Sequence, residues 1–203
     1  ETNKGFYIGR YEAGDQESTN SNALRTSSSS TSNTVTIRAG QAPYNYVTRT
    51  QAKSLAEAFS TKQGYTSVTS KLVSSYAWDT AIAFIQKTNR DYGKSSEEGN
   101  YEDSSTFTYT GIADTEKNKQ TKANGTSTLI PTGQTTAVNN IYDMGGNVWE
   151  WTTESCSSKY GTYTDRGGGY INNNYFASTP AGYRVNFSDG AVDYIGFRCT
   201  LYL

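Results

Sequence analysis

Asn140-Ile141-Tyr142-Asp143-Met144-Gly145-Gly146-Asn147-Val148-Trp149-Glu150-Trp151 is the least ordinary run in this sequence. Two adjacent glycines let the chain turn sharply, and Asn147 is suited to bonding backbone groups across that turn. Two tryptophans at alternate positions bring large areas to bury, so Trp149 and Trp151 are read as core. Beyond this run the texture is short strand-like segments broken by glycine, with two more compact clusters, Arg166-Gly167-Gly168 and Gly196-Phe197-Arg198. Arg166, Arg184 and Arg198 carry planar forks that suit carboxylates or carbonyls, so they are read as tethers between neighbouring strands.

Upstream, Phe6-Tyr7-Ile8-Gly9-Arg10-Tyr11 reads as a first strand and Val35-Thr36-Ile37 as a short one. Ala52, Leu55, Ala56 and Phe59 are spaced i, i+3, i+4, i+7, which predicts an amphipathic helix opened by Thr48 or Thr50 and ended at Gly64. The spacing recurs at Trp78, Ala81, Ile82 and Ile85, after the candidate cap Ser75. Both apolar stripes are read as core. Two stretches, about 15–34 and 91–136, are rich in Ser, Thr, Asn and Gly; the first is expected to be a loop that buries nothing, the second a long excursion. The whole chain, 1–203, is read as one domain.

Composition narrows the function. Redefined in the usual way, with Gly counted and Tyr not, the apolar share is roughly 35% against a typical 45–50%. A core is attainable, but much of the chain must be polar loop. The net charge is −1 and no basic block occurs, so nucleic acid is not an expected partner. No apolar run approaches membrane-spanning length and no secretory leader is recognisable, so membrane insertion is not expected either. Because it starts at Glu1, the sequence reads as a processed form or a fragment. Cys156 and Cys199 do not form a CxxC pair, and their redox state stays open between two thiols and one disulfide. The absence of His removes Ser-His-Asp and Cys-His nucleophile systems and any His-bound zinc or iron. A metal here needs oxygen ligands.

The Asn140–Trp151 run, Arg166-Gly167-Gly168 and Gly196-Phe197-Arg198, in that order and spacing, resemble the signature of formylglycine-generating enzymes. Weaker echoes lie at Tyr7-Ile8-Gly9-Arg10-Tyr11-Glu12 and at Trp78-Asp79. The strong match covers about the last third of the chain. The resemblance implies an α+β domain of C-type lectin fold: two helices on a small, twisted, mostly antiparallel sheet, with long loops. It implies that Asp143 and Glu150 by side chain, and Gly146 and Val148 by carbonyl, occupy the positions of a structural calcium; otherwise the two carboxylates bond loop amides. No cofactor is required on this reading. The family's oxidase activity needs a copper-binding cysteine pair shortly after Arg-Gly-Gly, and here that stretch reads Gly169-Tyr170-Ile171-Asn172-Asn173-Asn174-Tyr175-Phe176. A related branch uses a His-bound iron. Neither chemistry has its ligands, so the chain is expected not to be an enzyme.

Something else occupies the end of the chain. From Arg166 to Leu203 there is no Lys, Gln, Glu, Trp or Met, although the first 165 residues contain 31 of them, a rate at which about seven would be expected. Randomising the two adenines of Asn codons generates every residue except those five. Diversity-generating retroelements mutate the end of a gene in this way, and their variable proteins use the same lectin-type fold. The stretch 166–203 resembles such a region. Its palette of Asn, Tyr, Ser and Asp suits adaptable contact surfaces. Tyr170, Asn172, Asn173, Asn174, Tyr175, Ser178, Tyr183, Asn186, Ser188, Asp189, Asp193 and Tyr194 are expected to face a ligand, with Arg166, Gly167, Gly168, Gly196, Phe197 and Arg198 as frame. The expected partner is a protein or glycan on a target cell, and the expected carrier is a phage tail tip or a bacterial surface. A metal-dependent enzyme and a structural module of a tail or surface layer are the alternative readings.

Overall fold

The computed structural model describes residues 5–28, 32–112, 119–173 and 184–203. Its first half contains β1 (Tyr7–Ile8), β2 (Gly14–Asp15), α1 (Gln16–Asn20), β3 (Val35–Thr36), β4 (Ala42–Pro43), α2 (Arg49–Lys62), β5 (Thr69–Leu72) and α3 (Ser75–Ile85). After a 3-10 turn at Ser96–Glu98 come β6 (Phe107–Thr110), β7 (Lys119–Lys122), β8 (Trp149–Ser158), β9 (Gly161–Arg166), β10 (Arg184–Phe187), β11 (Ile195–Phe197) and β12 (Cys199–Tyr202). The sheets run β1-β12-β5, β10-β9-β8-β11, β3-β2-β4 and β6-β7. All pairs are antiparallel except β11 on β8, which sets Ile195 beside Trp149, Gly196 beside Glu150 and Phe197 beside Trp151.

The two long helices follow from local chemistry. Thr48 accepts from the Gln51 amide and Gln51 reaches back to the Thr48 amide, a capping box that fixes the start of α2. Its Ala52, Leu55, Ala56 and Phe59 bury against Trp149, Trp151, Ile195 and Phe197. The cap of α3 is Ser74, not Ser75, because the Ser74 hydroxyl accepts from Ala77 N at 3.1 Å. Trp78, Ala81, Ile82 and Ile85 then pack with Val73, Tyr92, Ile141 and Met144. Since side chains alternate along β8, Trp149 and Trp151 face α2 while Glu150 and Thr152 face α3.

Three expectations need correcting. The first strand is only two residues long. The stretch near 15–34 does bury groups: Asp15 caps α1, and Arg25 folds back to pair with its carboxylate and donates to the Asn45 carbonyl at 2.9 Å. A polar composition hid this, because a buried ion pair satisfied by backbone needs no apolar neighbours in sequence. The stretch 91–136 is likewise no simple loop; it holds the β6–β7 hairpin and buries Tyr101 and Ile130. Cys156 and Cys199 are both free thiols.

Candidate functional site

Asn147 is the hub under the C-terminal stretch. It adopts a left-handed backbone (φ 61°), and its Nδ2 donates to Glu12 at 2.7 Å and to the Ile130 carbonyl. Its Oδ1 accepts from Asn100 Nδ2 at 3.0 Å and from Ile130 N. The other oxygen of Glu12 accepts from Val148 N. One side chain thereby ties the turn to the start of the chain and to the inserted loops. Gly146 shows why glycine is needed beside it: its φ is +79°, and a Cβ there would lie 2.6 Å from the Asn100 backbone.

The three arginines act as tethers. Arg198 is fully buried and donates from Nε and Nη2 to one Glu150 oxygen at 2.9 and 2.6 Å, and to the carbonyls of Gly9, Tyr142 and Asp143. Trp78 Nε1 donates to the other Glu150 oxygen at 2.9 Å. Burial pushes Glu12 well above the usual carboxylate range, and the nearby Asp143 and Glu150 raise it further; Arg198 opposes them. Arg166 lies over the Trp78 ring, 4.6 Å from its centroid, and pairs with Asp79. Arg184, half-exposed, bridges Glu154 at 3.2 Å and Asp79 at 3.5 Å.

The residues at the calcium positions do not fit the ion. Asp143 accepts from Gly133 N and Thr135 Oγ1, each at 2.5 Å, and Glu150 is taken by Arg198 and Trp78. All four carboxylate oxygens face hydrogen-bond donors, a guanidinium already supplies the positive charge, and a calcium would need six to eight free oxygens. Among the described residues no group of three acidic or sulfur ligands gathers around a common centre. The reading in which these carboxylates bond loop amides holds for Asp143; Glu150 bonds side chains instead.

The expected ligand face divides. Tyr170 is not displayed: it is buried, its hydroxyl donates to Asp193 at 2.8 Å, and burial together with that carboxylate raises its pKa. Asn172 is half-buried, with Oδ1 accepting from both Trp149 Nε1 and Gly169 N. Asp193 is gripped again through its carbonyl, which accepts from Asn45. Tyr194 packs half-buried on the core edge with Val185, Phe187 and Val192, so this stretch supplies more core than its polar composition suggests. Asn173, Ser188 and Asp189 are exposed, and Asn186 is half-exposed. Asp189 accepts from Thr50 Oγ1 at 2.9 Å and so rests on the N-terminus of α2. Asn174, Tyr175, Ser178 and Tyr183 lie outside the described residues.

Several frame residues carry no sequence flag. Tyr101 donates to the Gly167 carbonyl at 2.6 Å and its ring lies against Gly168, where a Cβ would come within 2.7 Å. Glu102 N donates to the Asn172 carbonyl at 2.8 Å. Nothing periodic marks these positions, which lie inside the polar stretch 91–136. Asp165 is also unforeseen. It is buried between Trp151 and Val185 with one oxygen unpartnered, and burial raises its pKa to about 7.

A model of the sulfatase-modifying factor enzyme 1-like domain, the formylglycine-generating-enzyme family, matches residues 2–202. The chain belongs to that family. Two solved structures share the family's fold with it. The structure of CarF is 17% identical, with 98% of this chain and 86% of that one covered and a TM-score of 0.59. Treponema denticola variable protein 1 is 16% identical, with 96% and 84% covered and a TM-score of 0.53. At such identities the likeness is one of fold, which is the α+β C-type lectin type. Compared by sequence with curated proteins, the chain has no match. Within the family its departures are chemical: no His anywhere, no Cys from 169 to 176, and a buried Cys199 whose thiol burial pushes up to about 12.

Proposed function

We propose that this chain is a ligand-recognition module whose C-terminal stretch is a diversified surface, a retroelement variable protein of a phage tail or a bacterial surface. Its ligand is a protein or glycan on a target cell, and it performs no catalysis. The observation that carries this reading is the 38-residue tail from Arg166 to Leu203, free of Lys, Gln, Glu, Trp and Met and carrying buried arginine tethers at Arg166 and Arg198. Rigid ends with exposed polar positions such as Asn173, Ser188 and Asp189 between them are what a changeable surface requires. Small polar residues supply adaptable hydrogen bonds at little entropic cost. The reading against an enzyme rests on missing ligands. Copper needs a thiolate pair and the iron branch needs imidazoles, and the one cysteine of the tail is a buried, protonated thiol.

The DNA beside the gene tests the reading. It should contain a reverse-transcriptase gene and a near-copy of codons 166–203 differing only at adenines. A tail with no such copy would defeat the retroelement origin. One tightly bound equivalent of copper or iron in purified protein would return the enzyme reading to first place.

A further inference from the structure

We propose that Asn172 is a positioning residue: it latches the start of the ligand-facing stretch to Trp149, and the surface open to change begins only after it. This rests on the recognition reading above. By sequence Asn172 is the first of three consecutive asparagines, alike in composition and in codon. The first two differ in exposure. The Asn172 carbonyl oxygen Oδ1 accepts from Trp149 Nε1 and from Gly169 N, both at 2.8 Å. The Asn172 backbone N donates to the Gly169 carbonyl at 2.9 Å, and its backbone carbonyl accepts from Glu102 N at 2.8 Å. One residue therefore joins three parts of the molecule: β8 through Trp149, the inserted loop through Glu102, and the Gly167–Gly169 turn. Asn173, the next residue, is exposed.

The chemistry of the latch is narrow. It needs an acceptor oxygen one bond beyond Cγ, short enough to stay within a tight turn and able to take two N–H donors. Of the residues reached when both adenines of an Asn codon are randomised, only Asn and Asp offer it. Ser and Thr are too short, His offers at Nδ1 a single lone pair that cannot take two donors, and the other aromatic and the aliphatic outcomes have no acceptor there. Losing it takes away the hydrogen bond that the part-buried Trp149 indole N–H makes to Oδ1, and a lost bond in such a setting is costly. Most outcomes of diversification at codon 172 would then loosen the surface they are meant to vary. Copies of this gene should accordingly carry Asn or Asp at 172 while differing at exposed positions such as Ser188.

The test uses the full chain and the indole N–H resonances of its three tryptophans, with Trp149→Phe to assign one. In Asn172→Ala the Trp149 indole proton should shift and exchange about tenfold faster or more, the factor that corresponds to one net hydrogen bond. Asn172→Asp should restore slow exchange, and Ser188→Ala should leave it unchanged. If Asn172→Ala does not fold while Asn172→Asp does, the rescue makes the same point. An Asn172→Ala protein with an undisturbed Trp149 indole overturns the latch and leaves the recognition reading standing. If Ser188→Ala disturbs melting as much as Asn172→Ala, the surface is structural, so the recognition reading fails and the latch survives.

Discussion

Arg198→Met removes the cation at the centre of the frame while keeping most of the side-chain volume. Three consequences add. Glu150 keeps only Trp78 as donor and becomes a buried, uncompensated carboxylate, and breaking such a pair from one side costs about 3–5 kcal/mol. The carbonyls of Gly9, Tyr142 and Asp143 lose their guanidinium donor, at roughly 1 kcal/mol or more for each left buried. Glu12, already raised by burial and its acidic neighbours, loses the group that opposed the rise. The sum is at least about 5 kcal/mol, comparable to the whole stability of a small domain. The variant should be largely unfolded at pH 8. An acid whose folded pKa is raised contributes stability below its unfolded value and loses it as pH rises through the folded one. Glu12 and Asp143 both shift upward, so the variant should regain structure as pH falls toward 5. Circular-dichroism melts of both proteins from pH 5 to 8.5 measure this. A variant within about 1 kcal/mol of the parent at pH 8 would refute the account of Arg198, since no surface tether costs more than that to cut.

Asp165→Asn should act in the opposite direction. Its carboxyl is raised to about 7 with one oxygen unpartnered, so the parent loses stability as pH rises from about 4 through 7. The variant should match the parent near pH 5 and exceed it by about 2–3 kcal/mol at pH 8 in urea titrations, at roughly 1.4 kcal/mol for each pKa unit crossed; a less stable variant at pH 8 would show the carboxylate to be paired. Calcium should not matter. A cation binding only the native state at 100 times its Kd contributes about 2.7 kcal/mol, several degrees of melting temperature, and a chelator would remove it. No chelator effect is expected, whereas a drop that disappears in Asp143→Ala/Glu150→Ala would contradict the donor assignment at those residues.

Much of the architecture could be read before any coordinates. The i, i+3, i+4 stripes located α2 and α3 because burying one helical face leaves a period in sequence, and Trp149 and Trp151 declared themselves by size and alternation. The resemblance of the 140–151 run gave the fold. Illegible were the contacts made by polar residues. Glu12, Asn100, Tyr101 and Glu102 hold the frame through hydrogen bonds across as many as 136 positions, and a hydrogen bond has no periodicity. For the same reason the Asn and Tyr of the tail looked uniform. Composition cannot separate an asparagine that accepts from a tryptophan from one that faces solvent, nor a tyrosine bonded to Asp193 from a displayed one. The carboxylates at Asp143 and Glu150 are a case of the same kind: their chemistry is legible in sequence, and the donors they face are visible only in the structure.

Replacing exposed and half-exposed tail residues together, as Asn173→Ser/Asn186→Thr/Ser188→Ala, asks whether this stretch is a surface or a support. Polar substitutions away from buried features cost within about 0.5 kcal/mol each, so the triple variant should melt within about 5 °C of the parent, given roughly 2–4 °C per kcal/mol at this size. Trp149→Ala, which empties a buried indole site, should lose about 3–5 kcal/mol and melt about 10 °C lower or more. Differential scanning calorimetry of the two variants beside the parent decides it. A triple variant that unfolds as readily as Trp149→Ala would make the tail a structural element and end its reading as a changeable recognition surface.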